Sequence, residues 1–185
     1  MSILQIVLVL LALSLLPVAA VAVRAYLRYR GTRVVTCPET HKPVAVRVDK
    51  GHAAVTHALG EEELRLETCT RWPERQHCGQ ECLSQIEESP EGCLVRNILL
   101  RWYDGAFCAL CREPIGTIHW GDNKPAMLAP DGMTVEWTTI QPEALPAVLA
   151  SHQPVCWNCH VAKTFRDLFP DLAIERPRLP ERHAS

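Results

Sequence analysis

The chain lacks the signatures of several functional classes. Only 6% of its 185 residues are aromatic, so a large aromatic core is not expected. The sequence has no Gly-rich phosphate-binding loop and no Ser/His/Asp pattern for nucleophilic catalysis. Neither group of its cysteines contains the close Cys-x2-Cys-x2-Cys run of a ferredoxin. We therefore predict no enzymatic activity, with a redox role left open.

Acidic residues outnumber basic residues outside the N-terminal region. The first 33 residues carry four Arg and no acid, whereas the remainder carries 15 basic and 21 acidic residues. Nucleic-acid binding needs a basic face that replaces the counterions of the phosphate backbone. The acidic balance of the remainder therefore argues against nucleic acid as a partner.

A long apolar run, residues 3–23, opens the chain without a single charge. As a helix it would be about 31 Å long, close to the hydrocarbon thickness of a bilayer. Four arginines follow it, which by the positive-inside rule places the C-terminal side in the cytoplasm. The small residues Ala20 to Ala22 leave a cleaved signal peptide, and hence export, as the alternative.

These features predict a cell-membrane protein with one membrane-spanning helix over residues 1–24. A basic juxtamembrane segment would follow over residues 25–36. The helix would contact the lipid bilayer, and the remaining chain would lie on the cytoplasmic side.

Cysteine is the most informative residue type, with nine in the chain. Eight of them divide into two sets of four, which is the ligand number of a closed tetrahedral zinc site. The first set is Cys37, Cys69, Cys78 and Cys82, and the second is Cys108, Cys111, Cys156 and Cys159. Cys93 is left over and is expected to be a buried thiol. In a reducing compartment clustered thiols mostly bind metal, whereas export would favour disulfides.

The second set consists of two Cys-x2-Cys turns separated by 44 residues. Two intervening residues let both sulfurs of a turn face one point, so two such turns can hold one metal ion. Residues 107–161 therefore resemble zinc-ribbon-type domains, in which two cysteine turns meet at the end of a small sheet. The resemblance implies four thiolate ligands, and the long gap leaves room for an extra helix near residues 142–151. The whole chain resembles a bacterial-type, membrane-anchored, cysteine-rich protein.

The second Cys-x2-Cys turn also permits an alternative, because Cys156, Cys159 and His160 match the attachment motif of c-type haem. Haem is attached outside the cytoplasm, no Met follows His160, and only 25 residues remain after it. An iron–sulfur cluster also uses four thiolates and would fit the first set better. A membrane-bound electron-transfer protein is thus the alternative function.

The coarse pattern predicts an α+β fold with two lobes, at residues 37–104 and 105–172, and a disordered tail at 173–185. Strands are expected at 44–48 and 64–68, and a helix with a Gly105 stop at 94–104. The second lobe is expected to hold short strands at 115–120, 125–128 and 134–140, followed by two helices. The predicted function is a membrane-anchored zinc-binding accessory or adaptor protein with two structural Zn²⁺ sites and a protein partner in a membrane complex.

Overall fold

The structure is a computed structural model that describes residues 2–72, 74–75 and 77–172, without the side chains of residues 6–9 and 12. The predicted disordered tail at 173–185 lies outside the described residues. The chain divides into two compact units. The N-terminal unit comprises Met1–Trp102 with Gln141–Val148, and the C-terminal unit comprises Tyr103–Ile140 with the chain from Leu149 onward.

The N-terminal unit contains a three-stranded antiparallel sheet of order β1-β2-β3. Its elements are α1 (Ile3–Arg28), β1 (Arg33–Thr36), β2 (Pro43–Val48), α2 (Lys50–Ala58), β3 (Leu66–Cys69), α3 (Leu83–Glu88) and α4 (Val95–Tyr103). The strand predicted at 44–48 is β2, which the structure places at the centre of the sheet. The helix predicted before Gly105 is α4, whose last residue begins the C-terminal unit.

An apolar core lies between the sheet and the helices of the N-terminal unit. Val46 and Val48 of β2 are 1% exposed, and Ile86 of α3 is fully buried against them. Ala53 of α2 and Tyr29, which caps α1, complete the contact. This unit therefore has apolar burial of its own, independent of any metal.

A buried arginine closes the C-terminal end of α1. Arg33 has no exposed surface, and its guanidinium donates to the carbonyl oxygens of Arg28 and Tyr29 at 2.6 and 2.9 Å. It also donates to Gly31 O at 3.3 Å and Pro90 O at 3.1 Å. The last carbonyls of a helix lack partners within the helix and attract positive charge. Arg33 meets both needs and joins α1 to the segment before α4.

The structure contradicts the predicted membrane anchor. Helix α1 covers the apolar run, but within the described residues no helix is long and apolar enough to cross a bilayer. At its C-terminal end α1 packs against α2, with Ala25 buried. The finding overturns the single-pass helix of the predicted fold class and the cell-membrane localisation derived from it.

The C-terminal unit has a second three-stranded antiparallel sheet, of order β5-β4-β6. Its elements are β4 (Ala126–Leu128), β5 (Thr134–Glu136), β6 (Gln153–Val155) and α6 (Trp157–Leu168), with α5 (Leu145–Ser151) crossing the boundary between the units. The strand predicted at 115–120 is wrong, because that segment forms only an isolated bridge between His119 and Asn123. The described chain is thus a mixed α/β fold with two small sheets.

Buried residues of the C-terminal unit gather around β4. Ala126 and Met127 are fully buried, and Val155 of the neighbouring strand is 1% exposed. The Tyr103 hydroxyl donates to the carbonyl of Ala126, which fixes the end of α4 to this strand. The resulting core is small, and one of its buried residues is Cys108.

Candidate metal centres

A tight turn positions the first two thiols of the C-terminal cluster, Cys108 and Cys111. The Cys108 N–H donates to Glu113 O at 2.9 Å, and the Arg112 N–H donates back to Cys108 O at 2.9 Å. Arg112 adopts a left-handed conformation with φ of 66°, which an L residue with a Cβ rarely takes. The turn reverses the chain within six residues and points both thiols to one side.

The start of helix α6 positions the other two thiols of this cluster. Strand β6 ends at Val155, Cys156 occupies the N-cap, and Cys159 lies in the first turn of the helix. The Ala109 N–H donates to Pro154 O at 2.9 Å, and the Cys156 N–H points to the Cys108 sulfur at 3.4 Å. These bonds bring the helix start against the turn, so the two Cys-x2-Cys pairs face each other.

The four sulfurs have the spacing that a tetrahedral metal ion requires. The Sγ atoms of Cys108, Cys111, Cys156 and Cys159 all lie within 4.8 Å of one another, and those of Cys111 and Cys156 are 3.9 Å apart. Zn–S bonds of about 2.3 Å in a regular tetrahedron place sulfurs about 3.8 Å apart. Cys108 is buried and Cys111 is exposed. The predicted convergence of these four cysteines into a group that could hold a metal ion is confirmed.

The surroundings shift the pKa values of the thiols in this cluster in opposite directions. Burial raises the pKa of the Cys108 thiol, but the N–H groups of Cys111, Cys156 and Leu110 outweigh burial and bring the pKa to about 6. Burial, together with neighbouring sulfurs, raises the pKa values of Cys156 and Cys159. Cys108 is therefore a thiolate at neutral pH, while Cys156 and Cys159 must lose protons before they can bind a metal.

His160 follows the cluster but is engaged elsewhere. Its Nδ1 lies 3.0 Å from the Thr134 hydroxyl on β5, and its ring centroid is 5.1 Å from that of Trp157. Burial lowers the pKa of His160, although the charge of Glu136 opposes this shift. The imidazole therefore links α6 to β5 as a neutral hydrogen-bonding group.

The first set of cysteines lines a cavity in the N-terminal unit. Cys37, Cys69, Cys78 and Cys82 all border a space of about 220 Å³. Burial raises the pKa of the Cys82 thiol to about 11, and the charges of Cys69, Cys78 and Cys37 act in the same direction. Among the described residues, however, only the second set has ligand atoms that all lie within 4.8 Å of one another. The four cysteines of the first set border one cavity, but their sulfurs do not all lie within that distance of one another.

Arg71, which was not among the predicted site residues, lies at the edge of this cavity. Arg71 Nη1 is 3.0 Å from the Cys37 sulfur and 3.0 Å from Glu39. The Thr40 N–H and side chain contribute most to lowering the pKa of Cys37 to about 7, with Glu39 N–H and Arg71 adding to the effect. Arg71 lies two residues after Cys69, and this proximity to a candidate ligand is the sequence signal that could have pointed to it.

Cys93 packs against the core of the N-terminal unit rather than joining either set. Its thiol donates to the Ser89 carbonyl at 3.3 Å and it is half-buried. Burial raises the pKa of Cys93, while the charge of Arg33 opposes that shift. It has the environment expected of a small apolar residue with a weak donor.

No protein-family model, no curated protein and no solved structure matches this chain. The geometry of the cysteine clusters therefore carries the functional argument.

Proposed function

We propose that the protein is a zinc-binding accessory or adaptor protein with one structural four-cysteine site in each of its two units. The observation that carries this proposal is the convergence of Cys108, Cys111, Cys156 and Cys159 within 4.8 Å. Thiolate sulfur is the preferred ligand of structural zinc, and four of them complete the tetrahedron. Such a metal has no open coordination position, so its role is to stabilise the fold rather than to catalyse a reaction.

The same geometry supports zinc over c-type haem. Haem attachment would use the Cys156 and Cys159 sulfurs for thioether bonds, and would leave Cys108 and Cys111 without a partner metal. His160 would have to bind the iron through Nε2, because its Nδ1 lies 3.0 Å from the Thr134 hydroxyl. A four-thiolate ion uses all four sulfurs and leaves His160 where it is.

The proposed second site uses Cys37, Cys69, Cys78 and Cys82. Their shared cavity and the mutual influence of their charges support a common ligand. The Arg71 guanidinium beside Cys37 would stabilise a thiolate there. A Zn²⁺ ion in the cavity would draw the four sulfurs together and join the turn after β1 to the start of α3.

An apolar face on α6 supports the adaptor role. Val161 and Phe165 are each 48% exposed, and Leu168 is 67% exposed on the same side of the helix. Phe169 extends the face and lies in ring contact with Phe165, with centroids 5.2 Å apart. Contiguous exposed apolar side chains mark surfaces that bind other proteins. The proposed partner is therefore a protein that covers this helix face.

The test is elemental analysis of the full-length chain purified without added metal. Two zinc ions per chain and no iron are expected. The Cys108→Ser variant should retain one zinc ion, and the matched Cys93→Ser variant should retain both. Stoichiometric iron would contradict the proposal, and its absorbance spectrum would distinguish haem from a cluster.

A further inference from the structure

The turn at Cys37 has the same backbone hydrogen bonds as the turn at Cys108. The Cys37 N–H donates to Lys42 O at 2.9 Å, and the His41 N–H donates to Cys37 O at 2.8 Å. In the C-terminal unit the Cys108 N–H donates to the carbonyl five residues ahead, and the N–H four residues ahead returns the bond. His41 has φ of 54° at the position where Arg112 has 66°. The two turns are copies of one backbone structure, which we call the cysteine knuckle.

The two cysteine knuckles differ at the position three residues after the first thiol. Cys111 stands there in the C-terminal unit, and Thr40 stands there in the N-terminal unit. The Thr40 hydroxyl is buried and makes no hydrogen bond among the described residues. A buried hydroxyl without a hydrogen-bond partner destabilises the fold. A metal-bound thiolate of the first cluster could accept a hydrogen bond from the Thr40 hydroxyl and remove that cost.

Strand β3 brings a replacement sulfur to the first knuckle. Cys69 is the last residue of β3 and pairs with Val46 of β2, the strand that leaves the knuckle. The Thr70 N–H donates to Ala45 O at 3.0 Å and holds this register. Cys69 and Cys37 border the same cavity. Cys69, at the end of β3, is therefore placed to supply the second thiol that the turn at Cys37 lacks.

We propose that Cys69 gives the first cluster the thiolate that Cys111 gives the second. Cys69 is needed because Thr40, and not a cysteine, occupies the position in the first knuckle that corresponds to Cys111. This inference rests on the proposed second metal site. It makes the first site dependent on the pairing of β2 with β3, whereas the C-terminal knuckle contributes two ligands from one turn. The ligand taken up is a soft divalent cation such as Zn²⁺.

The experiment moves the sulfur back into the turn and counts zinc in the full-length chain. Wild-type protein is expected to hold two zinc ions and Cys69→Ser to hold one. The double variant Cys69→Ser/Thr40→Cys should hold two again, while the matched Cys69→Ser/Thr40→Ser, which supplies oxygen instead of sulfur, should hold one. Far-UV circular dichroism confirms that the variants being compared are folded.

A double variant that stays at one zinc ion, beside a wild type with two, would overturn the displaced ligand and leave the second site intact. One zinc ion in the wild type would remove the second site and the inference together.

The single variant Thr40→Cys gives a readout that does not require loss of a native ligand. With zinc bound, the sulfur introduced at position 40 should displace Cys69, and iodoacetamide should then alkylate Cys69 but not Cys37. Peptide mapping identifies the labelled thiol, and the wild type should show protection of both. Continued protection of Cys69, with labelling at position 40, would contradict the proposal.

Discussion

The two cysteine clusters differ in how their surroundings prepare them for a metal. In the C-terminal unit, one short turn and one helix start bring four sulfurs within 4.8 Å. In the N-terminal unit, the thiols line a cavity of about 220 Å³ within a unit that also buries Val46, Val48 and Ile86. A unit with little apolar core depends on cross-links or metals for stability. We therefore expect metal loss to damage the C-terminal unit more.

The largest effect should follow from removing a ligand of the C-terminal cluster. Cys156→Ser removes a thiolate ligand and leaves a residue that is favourable at the N-cap of α6, so the effect isolates the metal ligand. Structural zinc contributes apparent free energies of about 10–16 kcal/mol in zinc-finger peptides at neutral pH. We expect the C-terminal unit of this variant to be unfolded at 25 °C. Hydrogen–deuterium exchange would show loss of protection in β4, β6 and α6.

Cys93→Ser is the matched control for that variant, because it removes a half-buried thiol outside both clusters. It should leave protection in the C-terminal unit unchanged. If Cys156→Ser kept its protected strands, the metal dependence of this unit would be refuted.

A ligand change in the first cluster should have a smaller effect. Cys78→Ser should lose one zinc ion, yet the β1-β2-β3 sheet should stay protected because its apolar core persists. The control is Ile86→Ala, which removes a fully buried side chain and should cost about 2–5 kcal/mol. Urea unfolding would compare the two, and Ile86→Ala is expected to lower the stability of the sheet more. The reverse order would show that the metal, and not the core, holds this unit.

Metal affinity at the C-terminal cluster should fall as the pH falls. The raised pKa values of Cys156 and Cys159 mean that both thiols carry protons in the metal-free protein at neutral pH. Zinc displaces those protons, so by mass action a higher proton concentration weakens binding. Release of at least these two protons predicts an affinity loss of at least about a hundredfold per pH unit. Competition with a chromophoric chelator between pH 6.5 and 8 in Cys37→Ser protein would measure it, and a pH-independent affinity would contradict the assignment.

Local patterns in the sequence predicted much of the C-terminal site. The Cys-x2-Cys spacing requires only a turn and a helix start, both of which short-range backbone preferences can produce. The β-branched residues of β2 and the apolar face of α6 could be predicted for the same reason. Features that depend on contacts between distant parts of the chain could not. Nothing local shows that Arg33 is buried among carbonyls, or that Thr40 occupies the position of a ligand in a second knuckle. The apolar N-terminal run predicted a membrane anchor because composition alone does not reveal that the end of α1 packs on α2.

The smallest predicted effect concerns how each unit attaches the helix that follows its cluster. In the C-terminal unit His160 Nδ1 lies 3.0 Å from the Thr134 hydroxyl, and in the N-terminal unit the Gln85 amide exchanges two bonds with the Thr36 backbone at 2.9 and 2.7 Å. Thr134→Val keeps the shape of the side chain and removes two partly buried hydrogen bonds, to His160 at 3.0 Å and to the Thr164 hydroxyl at 3.4 Å. The loss should cost about 1–2 kcal/mol. Thermal unfolding of the zinc-loaded protein would measure the loss. Zinc content should remain at the wild-type value because His160 is not a ligand in the four-thiolate site. A loss of zinc from Thr134→Val would show that these hydrogen bonds position the helix start for metal binding, and the contrast between a preformed C-terminal cluster and an N-terminal one that metal must assemble would fail.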